Sequence, residues 1–167
     1  MNMFDGFTYW SHLAGKGKVI LDGDFIRLNT FEKDCEKEFV ISLQIMAGGP
    51  VAASDCPWNI SADDVHFYTN SELLALNRDR FVGHPLVDKL GDPKSNIWYG
   101  QTSDGSWVIG LFNRNDEATS LGVKFSELGI DGDWNVRDLW THTDEGASNG
   151  VVANLEPHSC KIVRLTK

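Results

Sequence analysis

Basic residues are in short supply in this sequence. Only 15 Lys and Arg stand against 24 Asp and Glu, for a formal net charge of −9, and they form no basic cluster. Nucleic acids and anionic membranes attract such clusters through their phosphates. We therefore expect neither nucleic acid nor a membrane surface as a partner. Neutral ligands such as sugars are compatible with this charge.

Cysteine is also scarce. Cys35, Cys56 and Cys160 form no CxxC pair and no tight group with histidine, which argues against a zinc site. Their odd number argues against a full disulfide framework, so we expect reduced, buried thiols. We expect no metal and no cofactor.

Long apolar runs are absent. None approaches the ~20 residues of a membrane-spanning helix, and residues 1–5 lack the basic and apolar regions of a signal peptide. The hydrophobic fraction of 41% is that of an ordinary globular protein, so we expect a packed core. The sequence does not indicate a cellular compartment.

The first 83 residues alternate strand-like and helix-like segments. The predicted strands cover residues 18–21 and 50–53, and the predicted helices cover residues 32–47 and a stretch that starts at 70–71. This order is typical of parallel βα units.

After residues 83–85 only short strands and turns follow. Six strands are predicted, at residues 96–100, 107–112, 121–125, 134–140, 151–155 and 160–165. Asp104-Gly105 and Asp131-Gly132 mark two of the turns. A strand spacing near ten residues predicts an antiparallel β-sandwich or barrel.

Several segments, in this order, resemble the α-galactosidase-like enzymes, the retaining glycosidases of glycoside hydrolase family 27 and its clan relatives. Residues 14–17 (AGKG) and 22–25 (DGDF) are similar to the loop and Asp-x-Asp of the seventh barrel strand. Residues 42–55 (SLQIMAGGPVAASD) and 70–79 (NSELLALNRD) resemble the end of the barrel. Residues 136–140 (VRDLW) and 157–161 (PHSCK) match the sandwich that follows it. Cys56-Pro57-Trp58 and Ser159 depart from the family pattern.

The resemblance implies a fold in two parts. Residues 1–83 would be the last two βα units of a (β/α)₈ barrel, and residues 84–167 an antiparallel β-sandwich. A complete barrel takes about 250 residues, and two units cannot close one. We therefore expect a C-terminal fragment of a glycoside hydrolase that acts on α-linked galactosides or similar sugars.

Catalytic residues are not assigned. A retaining glycosidase needs two carboxyl groups about 5–5.5 Å apart. In the resembled family they lie on upstream barrel strands, and no position here matches either motif. The chain alone is therefore expected to be inactive, with a carbohydrate bound only through the parent enzyme.

Four residues are candidates for substrate binding: Asp24, Asp22, Phe25 and Asp55. Asp24 is expected at the carboxyl end of a barrel strand, where barrel sites lie, and Asp22 shares its face if the strand continues through both. The alternative is that Asp22-Gly23-Asp24 forms a solvated turn. Asp55 is expected either to line the pocket or to cap the next segment.

Two other functions compete with the hydrolase hypothesis. A non-catalytic carbohydrate-binding sandwich would expose a row of aromatic rings, for which Trp98 and Tyr99 are candidates, whereas Trp107 is expected in the core. A structural or interaction piece would self-associate through the unpaired strand edges of the barrel remnant.

Overall fold

The computed structural model describes residues 2–15, 17 and 19–167. The helices are α1 (Met3–Trp10), α2 (Asp34–Met46), α3 (Val65–Thr69) and α4 (Ser71–Arg78). The strands of the first half are β1 (Phe25–Ile26) and β2 (Ala52–Ala53). Those of the second half are β3 (His84–Pro85), β4 (Ile97–Gln101), β5 (Trp107–Phe112), β6 (Thr119–Lys124), β7 (Trp134–Asp138), β8 (Thr143–Ser148), β9 (Gly150–Leu155) and β10 (Cys160–Thr166). Within the described part of the chain, no helix is long and apolar enough to cross a membrane.

The first half contains a parallel β–α–β unit. Strands β1 and β2 pair in parallel, with Phe25 opposite Ala52 and Ile26 opposite Ala53, and α2 connects them. Helix α2 forms where its apolar spacing predicts it. At its start, the Glu36 carboxylate accepts a hydrogen bond from the Lys33 backbone N–H at 3.2 Å. This satisfies one of the N–H groups left free at a helix N-terminus.

The first predicted strand lies too early in the chain. Lys18 is outside the described residues, and Val19 makes only an isolated bridge to Ala14, whereas the paired strand begins at Phe25. A local turn causes the difference. The Asp22 carboxylate accepts a hydrogen bond from the Asp24 backbone N–H, and Asp24 has a φ of 65°, so an extended backbone cannot run through residues 22–24.

The second half is antiparallel throughout. A six-stranded sheet has the order β3-β4-β5-β10-β7-β8, and β6 pairs with β9 in a separate two-stranded sheet. All six predicted strands are present. Strand β8 was missed because it is a mostly exposed edge strand of polar and small residues, TDEGAS, which shows no apolar alternation.

Both faces of the six-stranded sheet are buried. Val108, Phe112 and Ile162 point into a cluster shared with the helices of the first half. Their neighbours Ile109 and Leu111 point into a second cluster, beneath β6 and β9. This arrangement explains why β5 is apolar at nearly every position, since a strand buried on one side would alternate.

The first cluster crosses the predicted boundary at residues 83–84. The ring of Phe4 meets those of Phe112 and Trp98, with centroids 5.6 and 6.1 Å apart. The Trp140 indole N–H donates to the Ser42 hydroxyl at 2.8 Å. The two parts therefore share a core. The division of the chain into a barrel part and a sandwich part at residues 83–84 stays a prediction.

Candidate functional site

The carboxyl ends of the two parallel strands define the candidate site. Strand β1 continues through Arg27 into a single 3₁₀ turn, Leu28–Thr30, and β2 continues through Ser54 to Asp55. In folds built from parallel βα units, ligands bind at this edge because the loops that follow the strands converge there.

Asp55 fastens these two strand ends together. Its carboxylate accepts backbone hydrogen bonds from Leu28 at 2.8 Å and Asn29 at 3.2 Å. The hydroxyl of Tyr68, on α3, donates to the same carboxylate at 2.6 Å and also lies 2.9 Å from the Ile26 carbonyl oxygen. Both carboxylate oxygens are engaged, and the backbone they bind is the 3₁₀ turn after β1, not the segment that follows Asp55.

The electrostatics of Asp55 agree with this geometry. Burial opposes its ionisation, but the hydrogen bonds from Tyr68, Leu28 and Asn29 outweigh burial and lower the pKa of the carboxyl. Burial first, and then the bond to Asp55, raise the pKa of the Tyr68 hydroxyl. Asp55 is therefore an anion held by donors, and Tyr68 keeps its proton.

Asp22 and Asp24 occupy the opposite end of β1. The expectation that Asp24 ends a strand is wrong, because Asp24 immediately precedes Phe25, the first residue of β1. The Asp24 carboxylate accepts from the Phe25 backbone N–H at 2.9 Å, and that of Asp22 accepts from the Asp24 N–H at 2.8 Å. The bond to Asp22 closes a local Asx turn, and both aspartates are exposed to solvent.

The four candidate residues are consequently not brought together. Asp22, Asp24 and Phe25 lie at the amino end of the parallel pair, and Asp55 lies beyond its carboxyl end. Phe25 is 54% exposed. At the amino end, Asp22 borders a cleft of about 950 Å³ whose other lining residues are mostly glycine and apolar side chains, together with Asn77 and Arg80.

The loop that follows Asp55 carries Trp58, which the sequence marked only as part of a departure from the family pattern. Trp58 is 81% exposed, more than any other large hydrophobic side chain in the described residues. The backbone N–H groups of Asn59 and Ile60 both donate to the Cys56 carbonyl, at 2.8 and 3.2 Å, which closes a turn around Trp58.

His142 and His158 do not supply a nucleophilic site. His142 is 2.6 Å from the Glu72 carboxylate and His158 is 2.8 Å from that of Asp116. Each ring therefore faces a carboxylate and not a Ser or Cys nucleophile. Among residues 2–15, 17 and 19–167, no group of three His, Cys, Asp or Glu side chains is placed to hold a metal ion.

The sandwich does not present a row of exposed aromatic rings. Residues 84–167, all of which the structure describes, contain four tryptophans, and none of them is exposed. Trp98 is fully buried, Trp107 stacks on Tyr99 with centroids 6.2 Å apart, and Lys167 covers Trp134. This disfavours the carbohydrate-binding sandwich as an independent module.

A family model described as the alpha galactosidase C-terminal beta sandwich domain matches residues 92–165. The match covers most of the second half of the chain. Over 99% of its length, the chain is 41% identical to isomalto-dextranase of Arthrobacter globiformis, and it is 32% identical over 64% of its length to alpha-galactosidase 2 of Arabidopsis thaliana. The resemblance to the C-terminal part of α-galactosidase-like glycoside hydrolases is thus confirmed.

Solved structures agree with the sequence relationship. The isomalto-dextranase of Arthrobacter globiformis, complexed with panose, superposes on 98% of this chain with a TM-score of 0.91. A family 27 β-L-arabinopyranosidase of Geobacillus stearothermophilus, 21% identical, superposes on 99% of it with a TM-score of 0.83, which shows a shared fold. The chain spans 27% of the length of isomalto-dextranase and 28% of that of alpha-galactosidase 2.

Proposed function

We propose that this chain is the C-terminal part of a glycoside hydrolase that cleaves an α-linked glucan of the dextran class. The observation that carries the proposal is the 41% identity to isomalto-dextranase over 99% of the chain. The similarity includes the first half, which lies outside the matched sandwich domain. Alpha-galactosidase mel1 of Schizosaccharomyces pombe also matches 98% of the chain, but at 25% identity, so the higher identity to isomalto-dextranase is what favours the dextran class.

The first half would then supply the last two βα units of the hydrolase barrel. The parallel pairing of β1 and β2 around α2, with α4 packed against α2, supports this assignment. Each strand of the pair has one unpaired edge, since each has only one neighbour in the described structure. In a complete barrel, further parallel strands would satisfy both open edges.

The isolated chain would be catalytically inactive. A retaining hydrolase uses two carboxyl groups on either side of the scissile bond. At the carboxyl edge of β1 and β2, Asp55 has both oxygens engaged with Leu28, Asn29 and Tyr68. Asp22 and Asp24 sit at the other end of the strand and bond to their own turn. Their contacts suit structural roles.

Activity assays on two polypeptides test this proposal. The 167-residue chain is expected to release no sugar from dextran. A polypeptide that joins it to the upstream barrel in its coding sequence is expected to hydrolyse dextran. Turnover of dextran by the short chain, or failure of the longer polypeptide to act on any α-linked sugar, would contradict the proposal.

α-Galactosides are the second candidate substrate class. The family model for residues 92–165 and the 32% identity to alpha-galactosidase 2 favour them. An aryl α-galactoside given to the longer polypeptide separates the two candidates. Hydrolysis of the galactoside without hydrolysis of dextran would replace the glucan by the galactoside.

A further inference from the structure

We propose that Trp58 is a sugar-binding residue, which stacks its indole ring on one ring of an α-linked oligosaccharide at the rim of the active site. The inference rests on the proposed function, because it takes the carboxyl edge of β1 and β2 as the substrate side of the molecule. It adds a residue and a binding mode that the family resemblance does not supply, since residues 56–58 depart from the family pattern.

Exposure is the first argument. Trp58 is 81% exposed, whereas Trp10, the next most exposed tryptophan of the described residues, is 48% exposed. Burying an indole ring is strongly favourable in water, so a fully exposed one forgoes that stabilisation within its own chain. A ligand with an apolar face would cover the exposed ring.

The loop that carries Trp58 is held at both ends. On one side, Asp55 is bonded to Leu28, Asn29 and Tyr68. On the other side, the Asp64 carboxylate accepts a hydrogen bond from the Lys37 ammonium at 2.7 Å, and the Asp64 backbone N–H donates to the Ser61 hydroxyl at 3.0 Å. Pro57 fixes one backbone torsion next to the indole. A loop held in this way loses less conformational entropy when a ligand binds, which lowers the entropic cost of binding.

Position is the second argument. Trp58 is five residues beyond the end of β2 and three beyond Asp55, so its loop rises from the carboxyl edge of the parallel pair. Loops at this edge contact substrate in barrel enzymes. Trp10, by contrast, ends α1 and does not follow a parallel strand. It therefore serves as a matched control for an exposed tryptophan without this placement.

Charge points to a neutral ligand. Asp55 and Asp63 flank the loop, Asp64 is paired with Lys37, and the whole chain carries −9. An anionic ligand would meet a negative field here. A sugar ring is neutral, has an apolar C–H face that packs on an aromatic ring, and carries hydroxyls that accept from an indole N–H. The alternative occupant is an apolar segment of protein, which the experiment also distinguishes.

Nuclear magnetic resonance of the ¹⁵N-labelled chain tests the proposal. Isomaltotriose is titrated to about 50 mM, because contact with a single sugar ring gives affinities in the millimolar range. We expect a saturable shift of the Trp58 indole N–H and of the Asn59 and Ile60 amides, and no shift of the Trp10 indole. Raffinose, which contains an α-galactoside, is titrated in parallel and reports on sugar preference.

Substitutions make the result specific. Trp58→Ala is expected to raise the dissociation constant for the sugar, read from the loop amides, by about tenfold. Trp58→Phe is expected to raise it by less, because a smaller aromatic ring remains. Trp10→Ala is expected to leave it unchanged. An unshifted Trp58 indole with both sugars, or equal binding by Trp58→Ala, would overturn the inference. An indole that shifts only when the upstream barrel is joined to the chain, without sugar, would identify a protein contact instead and overturn it too.

The outcome separates this inference from the proposed function. If the longer polypeptide hydrolyses dextran and Trp58→Ala leaves its KM unchanged, the sugar-binding role fails while the proposed function stands. If the Trp58 indole shifts with sugar but the longer polypeptide hydrolyses no α-linked sugar, the binding site stands while the proposed function fails.

Discussion

At the scale of single residues, Asp55 shows how one carboxylate can fix an edge of the fold. It ties the backbone that follows β1 to the loop that follows β2, with Tyr68 as a third contact. A hydrogen bond to a charged group contributes about 1.5–3 kcal/mol, roughly twice a neutral one. The carboxyl edge therefore depends on this residue for its shape.

Asp55→Asn is expected to lower the free energy of unfolding by about 1–3 kcal/mol, because an amide offers one acceptor atom where three donors converge. Tyr68→Phe removes one donor and is expected to cost about 1 kcal/mol. Urea denaturation of both variants and of the double variant measures the coupling. Additive effects would contradict a direct interaction between the two side chains.

The pH dependence of the Asp55 contribution follows from its lowered pKa. The folded protein holds the anion more strongly than the unfolded chain does, so the stabilisation is present above the unfolded pKa and is lost as the pH falls through the folded pKa. The difference between wild type and Asp55→Asn is therefore expected to be largest near neutrality and to shrink in acid.

The pKa of Glu38 is shifted in the opposite direction from that of Asp55. Burial on α2 raises its pKa to about 7, helped by the negative charges of Asp138 and Asp34 and opposed by His66. The folded protein binds this proton more tightly than the unfolded chain, so stability falls as the pH rises from about 4.5 to about 7. Glu38→Gln is thus expected to stabilise the protein by about 1–2 kcal/mol at pH 8 and to have little effect at pH 4. Thermal unfolding across this range measures it, and a uniform effect at all pH values would refute the assignment.

At the scale of elements, Asn70 joins a helix to the sandwich. Its side-chain oxygen accepts from the backbone N–H groups of Glu72 and Leu73, both at 3.1 Å, and so caps α4. Its amide N–H donates to the Leu139 carbonyl, just after β7, at 2.8 Å. One buried amide therefore starts the helix and docks it.

Asn70→Ala is expected to lower the free energy of unfolding by about 2–4 kcal/mol, since it removes an N-cap and leaves the buried Leu139 carbonyl unpaired. Asn70→Ser keeps the cap but does not reach Leu139, so we expect an intermediate loss. Urea denaturation of the three proteins ranks them. Equal losses for Ala and Ser would show that the cap contributes little.

At the scale of the whole molecule, apolar surface remains near the open edge of the parallel pair. Ile20 is 72% exposed, Phe25 is 54% exposed, and Tyr9 and Trp10 are each 48% exposed. Strand β1 has one paired edge and one open edge in the described structure. Exposed apolar patches and unpaired edges favour association.

The chain is therefore expected to self-associate at high concentration through this surface. The double variant Ile20→Ser, Phe25→Ser is expected to reduce the average mass measured by light scattering. Val152→Ser is the matched control, because Val152 is 70% exposed but lies on β9, in the two-stranded sheet. A monomeric wild-type chain at high concentration would contradict this prediction.

Local pattern by itself determined much of the architecture. Apolar spacing located α2 and the six principal strands of the sandwich, because an amphipathic helix and a buried strand each leave their period in the sequence. Strand β8 left no such period, since nearly all of its side chains face solvent. The order of short motifs was enough to indicate the family.

The site was decided only by tertiary structure. The sequence cannot show that Asp24 precedes β1, because its positive φ follows from a turn closed by Asp22. Neither can it show that Asp55 is engaged by Leu28 and Tyr68, which are 27 and 13 residues away. Such contacts depend on how α3 and both strand ends pack together, and chain packing is not encoded in local periodicity. Trp58 was visible in the sequence as an unusual residue. Its exposure is evident only in the folded structure, where hydrogen bonds at both ends of the loop set its conformation.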